Sequence, residues 1–238
     1  MELPNHVKRV VDHVAAMGGV EAATLGGSRA TGTATADSDW DVGLYYREPL
    51  DLSALAELGQ VHPPGTWGRL MNGGAWLDLP GARVDVILRD LDVVERWSDE
   101  ARAGRYEVDG LLGYLAGFPT YVLMAEVASS LVLRGQLDLD ASFPEALRDT
   151  APARWRFHRD FSLAHARRAA RLGNEVVALG QLSRAVVEEA HARHCAAARW
   201  VLNEKRIQEG TGLPVRLPPG EPRDVVETVA RILAEHDG

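Results

Sequence analysis

The sequence predicts an α+β chain, with a first half that mixes strands and helices around a sheet and a second half that is helical throughout. Two observations carry that expectation. Short β-branched runs bounded by Gly or Pro recur through the first 90 residues. From Pro152 onward the chain is rich in Ala, Leu, Val and Arg at 3.6-residue spacing, without a strand pattern. The 238 residues suit one large domain or two small ones, and 46% hydrophobic with 25% charged side chains is ordinary for a globular core. A boundary near 105–150 is expected, and we divide the chain into a catalytic domain over 1–115 and a helical bundle over 116–238.

Taken in order, Val7, Val10, Val11, Val14 and Ala15 sit at helical spacing from about Asn5 to Met17, and Gly18-Gly19 ends the helix. Val20 to Leu25 reads as a short strand that stops at Gly26-Gly27-Ser28. Trp40 to Tyr46 is the next strand, with Trp40, Val42 and Leu44 on one face and Asp39, Asp41 and Gly43 on the other. Ala75–Leu79 and Arg83–Leu88 flank Pro80-Gly81 as a hairpin. Helices are predicted over Leu91–Ala101, Val108–Leu115 and Thr120–Arg134, then over Arg154–Leu172, Glu175–Glu209 and Pro222–His236. The proline-rich run from Leu213 to Pro222 is a loop before the last of them.

The totals also restrict function. No apolar run reaches the ~20 residues of a membrane span, and Met1 to His6 lacks the basic-then-apolar pattern of a secretory signal. The single cysteine, Cys195, excludes an intramolecular disulfide. A cytoplasmic protein is the expectation. The net charge of −8 is uneven: residues 1–150 hold 23 acidic and 12 basic side chains, residues 151–238 hold 11 and 14. An acidic first half lacks the basic stripe that meets a nucleic-acid backbone, and suits a small cationic acceptor or plain solubility.

Three segments carry the chemistry. Gly26-Gly27-Ser28 follows a strand, and two glycines let backbone amides approach a phosphate while the serine adds a hydroxyl. After ten intervening residues comes Asp39-Trp40-Asp41, whose carboxylates share a strand face. Asp85, between Val84 and Val86, lies on a later strand that would set it beside the pair. Three converging carboxylates repel and push at least one pKa upward, a conflict that a divalent cation removes. Hard oxygen ligands beside a phosphate substrate point to Mg²⁺, and two such ions can clamp the attacking and leaving oxygens of an in-line displacement. Asp39 and Asp41 would bridge both ions, and Asp85 would complete the site nearest the attacking hydroxyl.

The run from Gly26-Gly27-Ser28-Arg29-Ala30-Thr31-Gly32 through Ser38-Asp39-Trp40-Asp41 closely resembles the signature of the DNA polymerase β-like nucleotidyltransferase superfamily. It looks most like the minimal and antibiotic (aminoglycoside-type) branches. The resemblance is specific over about residues 20–46, is supported by Asp85, and is weaker over the helical remainder. It implies a mixed sheet with helices, two Mg²⁺ ions and ATP or another nucleoside triphosphate as co-substrate. By resemblance, Gly27 and Ser28 would hold the triphosphate, with Asp39, Asp41 and Asp85 as metal-binding catalytic acids.

Other residues are less determined. Arg29 could reach a phosphate or form a structural ion pair. Lys205, the only lysine after Lys8, could reach the triphosphate or cap a solvated helix end. Related antibiotic enzymes take an acid outside the strand trio as general base, and Glu126, Glu188 and Glu189 are candidates. His191, His194 and Cys195 share a helix face but read better as core or surface residues than as ligands. Trp67, Trp76, Trp155 and Trp200 read as packing residues, one of them a candidate to line an acceptor cleft. The expected reaction transfers an NMP, AMP from ATP, to a hydroxyl of a small molecule such as an aminoglycoside- or lincosamide-type antibiotic, in a cleft between the two domains of a monomer or homodimer. The alternatives are an antitoxin that adenylylates a partner protein, an RNA-tailing transferase, and a non-catalytic nucleotide-binding module.

Overall fold

The computed structural model describes residues 3–235. In chain order it contains α1 (Asn5–Ala15), β1 (Val20–Leu25), α2 (Gly27–Ala30), β2 (Trp40–Tyr46), α3 (Ser53–Ala56), β3 (Gln60–His62), α4 (Gly68–Met71), β4 (Gly73–Leu79) and β5 (Ala82–Asp90). There follow α5 (Leu91–Arg102), β6 (Val108–Asp109), β7 (Phe118–Pro119), α6 (Val122–Ser129), β8 (Leu131–Gly135), α7 (Glu145–Arg171), α8 (Glu175–Ala196) and α9 (Pro222–Ala234). Mixed sheet first and helical region second is the α+β arrangement that the sequence predicts. No described helix is long and apolar enough to cross a membrane.

Contacts divide the chain into two compact units, and neither is continuous in sequence. The first comprises 1–99 and 123–142, and the second 100–122 and 143–238. In the first unit six strands form one sheet in the order β3-β4-β5-β2-β1-β8. Only β2 and β5 run parallel; the other neighbours are antiparallel. One face of this sheet is apolar because alternate residues of each strand are aliphatic or aromatic. Trp40, Val42 and Leu44 of β2, Val84, Val86 and Leu88 of β5, and Ala75 and Leu77 of β4 bury against Val7, Val10, Val11 and Val14 of α1. The opposite face carries the intervening residues, among them the acids.

The second unit is organised by α7 and α8, joined through Gly173, whose φ of 72° makes the turn. Asn174 caps α8, its side chain accepting from the Val177 N–H at 3.2 Å. Trp155, Leu182, Ala185, Val229 and Leu233 are fully buried in the core of this unit. Glu189, with no exposed surface, accepts from Arg159 at 2.8 Å and from Arg193 at 2.9 Å, so two buried guanidiniums share one buried carboxylate in the core.

Several expected elements differ. Val108–Leu115 is not a helix: Val108–Asp109 pairs with Phe118–Pro119, and the loop between turns at Gly113 and Gly117, both at positive φ. The helix expected over Thr120–Arg134 stops at Ser129, and Leu131–Gly135 pairs with β1 as an edge strand. α7 starts at Glu145, ahead of Arg154, and takes Pro152 into its interior. α8 ends at Ala196, so Lys205 lies in an exposed turn rather than near the end of a helix. The predicted helix end at His236 falls outside the described residues, as do Met1 and Glu2.

Candidate active site

The site is a row across the sheet. Gly26, where β1 ends, donates its N–H to the Asp41 carbonyl at 2.8 Å. Asp41 on β2 is paired in register with Asp85 on β5, Asp85 with Trp76 on β4, and Trp76 with Gln60 on β3. Residues paired across adjacent strands project from the same face, about 4.8 Å apart. The parallel pairing of β2 and β5 thus places Asp41 and Asp85 side by side, as sequence spacing alone suggested, while Asp39 lies two residues before Asp41.

The glycine turn meets the row at Asp41. Gly27 has a φ of 59°, and a Cβ there would lie 1.8 Å from Asp41 Oδ2. A side chain here would have to displace the Asp41 carboxylate, because the first turn of α2 packs directly on it. Amides of a first helical turn lack intrahelical acceptors, and the close approach at Gly27 sets this turn beside an acid. Such a juxtaposition suits a group that carries both a phosphate and a cation. Gly43, two residues on, is also closely approached: a Cβ would lie 2.7 Å from Thr24 Oγ1.

Arg29 fastens the segment that carries Asp39. Its Nε donates to the carbonyls of Ser38 and Asp39, each at 3.1 Å, and its guanidinium lies 4.0 Å from the centroid of the Trp40 ring. The structure gives this side chain a bracing position on backbone carbonyls and an indole, which neither of the two sequence alternatives named. Asp85 is half-buried with Oδ1 3.3 Å from Arg83 Nε. Burial raises its pKa above the usual aspartate value; Arg83 opposes that, while Asp39 and Asp78 add to it. Among the described residues no three acidic, His or Cys side chains are drawn together tightly enough to hold a metal ion as they stand. The donor set nevertheless fits a hard divalent cation, since it is all oxygen.

Glu126 of α6 accepts two hydrogen bonds from Arg89, from Nε at 2.6 Å and from Nη2 at 2.7 Å. Arg89 is 2% exposed, so Glu126 is the counter-ion of a buried guanidinium with both oxygens engaged. Glu188 and Glu189 are buried in the second unit, where Glu188 accepts from Arg184 at 2.8 Å. His191, Cys195 and most of His194 are packed away. His191 stacks on Trp155 with ring centroids 4.3 Å apart, and burial lowers its pKa to about 3, which keeps it neutral. Lys205 is exposed in the second unit, while the acids belong to the first.

Residues 7–102 match the family model described as a nucleotidyltransferase domain. Among solved structures, a nucleotidyltransferase-like protein from Exiguobacterium sibiricum aligns with a TM-score of 0.47 and 14% identity, covering 98% of this chain and 69% of the other. No curated protein matches the chain significantly.

Proposed function

We propose that this chain, a nucleotidyltransferase by the domain it carries over residues 7–102, moves a nucleoside monophosphate from a nucleoside triphosphate, ATP in our reading, to a hydroxyl of a small acceptor. The observation that carries this reading is the row itself: a glycine turn seated on Asp41, and Asp41 paired in register with Asp85. In the reaction the acceptor oxygen forms a bond to the α-phosphorus, the bond from that phosphorus to the bridging oxygen breaks, and pyrophosphate departs. The hydroxyl proton passes to solvent or to a base.

The chain's own residues bind and orient. The amides of Gly27 and Ser28 and the Ser28 hydroxyl receive phosphate oxygens, Arg29 holds Asp39 in place through the Ser38 and Asp39 carbonyls, and Asp85 sits on the side from which the acceptor enters. Two Mg²⁺ ions held by Asp39, Asp41 and Asp85 would neutralise charge on the phosphates and the carboxylates. Glu126 has no part in this scheme, because Arg89 occupies both of its oxygens. Lys205 remains a candidate phosphate ligand by resemblance alone.

An aminoglycoside- or lincosamide-type antibiotic is the acceptor class suggested by the resemblance and by the acidic first half, and a resistance role in the cytoplasm would follow. The test is pyrophosphate release from ATP and Mg²⁺ with a panel of such compounds and simpler polyols. Acceptor-dependent release that Asp41→Asn abolishes is expected. No release with any acceptor from protein that binds ATP would contradict the acceptor class, and equal release by Asp41→Asn would contradict the site.

A further inference from the structure

The row does not end at the acids. Beyond Asp85 the same sheet face continues with Trp76 on β4 and Gln60 on β3, paired in register. Trp76 is 39% exposed, far more than a packing tryptophan, whereas its neighbours Ala75 and Leu77 on the opposite face are fully buried. Its ring sits in an aromatic cluster: the centroid of His62 is 4.5 Å away and that of Trp67 5.7 Å, and Trp67 and His62 are 5.0 Å apart. Gly74 makes room for this arrangement, since a Cβ there would lie 2.6 Å from the Trp67 ring.

The cluster is held by its own loop. Asn72, at a φ of 63°, receives the Gly65 N–H on Oδ1 at 3.0 Å and donates from Nδ2 to the Tyr46 hydroxyl at 2.9 Å, while its carbonyl receives the Trp67 N–H at 3.0 Å. Around the exposed indole lie polar groups: Gln60 in the same row, Asp78 two residues along β4, and His62, whose buried Nε2 finds no hydrogen-bond partner among the described residues. Arg83, paired in register with Asp78, completes that edge.

We infer that Trp76, backed by Trp67 and His62, is the acceptor platform of this enzyme, and that it takes a saturated, polyhydroxylated ring such as a sugar or aminocyclitol. The inference rests on the nucleotidyl-transfer reading for its direction. An in-line displacement puts the attacking oxygen opposite the leaving group. Phosphates lie at the Gly27 end of the row, so the attacking hydroxyl enters from the Trp76 end, with Asp85 between. A flat exposed indole matches the C–H face of a saturated ring, and the Gln60 amide and Asp78 carboxylate at its margin match ring hydroxyls. A purine would also stack on an indole, but Gln60, Asp78 and Arg83 offer more polar contacts than its edge needs.

The test uses saturation-transfer NMR on the full chain with methyl glucopyranoside and methyl 2-amino-glucopyranoside as probes, beside calorimetric titration of ATP with Mg²⁺. Wild type should transfer saturation to the ring C–H protons of at least one probe. Trp76→Ala should lose that signal, Trp76→Phe should keep a reduced one, and both should bind ATP within about twofold of wild type. A wild type without transfer to either probe, or an undiminished signal in Trp76→Ala, would overturn the platform. So would a fivefold or greater loss of ATP affinity in Trp76→Ala, which would make Trp76 a seat for the nucleobase. A wild type that binds the sugar through Trp76 but binds no nucleotide would support the platform while removing the nucleotidyl-transfer reading, so the two claims fail separately.

Discussion

At the residue scale the site is a balance of charge and close approach. Asp85 shows the first: burial, Asp39 and Asp78 together hold its pKa above the ordinary value despite Arg83. A carboxyl whose folded pKa is raised favours the folded state only while protonated. That contribution is complete below the unfolded value of about 4 and is lost as pH rises through the folded value. Without metal, Asp85→Asn is therefore expected to raise Tm near neutral pH and to give no gain near pH 3, and added Mg²⁺ should shrink the neutral-pH difference. Thermal melts at the two pH values check this; a Tm gain that persists at acidic pH would contradict the origin assigned to the shift. Gly27 shows the second, because its positive φ and the 1.8 Å approach of any Cβ to Asp41 Oδ2 strain every other residue there. That glycine and the three acids were legible in the sequence because spacing on a strand determines which side chains share a face. The bracing of Asp39 by Arg29 was not, since a guanidinium next to a phosphate turn serves either purpose until its partners are known. The 39% exposure of Trp76 was not legible for a similar reason: exposure is a property of the neighbours, and the residue type leaves it open.

At the element scale, legibility followed how local each element is. α1, β1, β2 and the hairpin of β4 and β5 carry their own periodicity and turn residues, and they form where the sequence placed them. β8 does not: Leu131, Val132 and Leu133 extend the apolar spacing of α6, and only pairing with β1, more than 100 residues earlier, makes them a strand. α7 extends through Pro152, which looked like a boundary because proline removes one intrahelical hydrogen bond; 26 other residues and a buried face outweigh that loss. α6 is fixed to the sheet by the pair between Arg89 and Glu126. Removing the charge of Glu126 leaves a guanidinium that is 2% exposed without its counter-ion, at a cost of about 3 kcal/mol. Denaturant unfolding of Glu126→Gln should show that loss, with the pH–rate profile of the remaining folded enzyme unchanged. A variant of wild-type stability that lost the acidic limb of its profile would instead make Glu126 the general base.

At the scale of the whole molecule, the chain crosses between its two units and returns. Residues 123–142 belong with the sheet, supplying both β8 and Glu126, although residues 100–122 before them belong with the helices. A fragment cut at residue 115 would lose the strand that covers β1 and the counter-ion of Arg89 together. We expect it to lack a cooperative thermal transition and to aggregate through the freed β1 edge, whereas the full chain melts cooperatively. A soluble 1–115 fragment with a sharp transition would contradict the structural role given to 123–142. Charge divides between the two units as well: the first holds 18 acidic and 9 basic side chains, the second 16 and 17.

The central claim is that the glycine turn and the paired acids form one nucleotide site, and calorimetric titration of ATP with and without Mg²⁺ tests it most directly. Wild type should bind ATP in a Mg²⁺-dependent manner. Asp41→Asn and Gly27→Ala, which alter the two sides of a single contact, should each weaken binding roughly tenfold or more, about 1.4 kcal/mol. Binding that ignores Mg²⁺ and survives both substitutions would contradict the account.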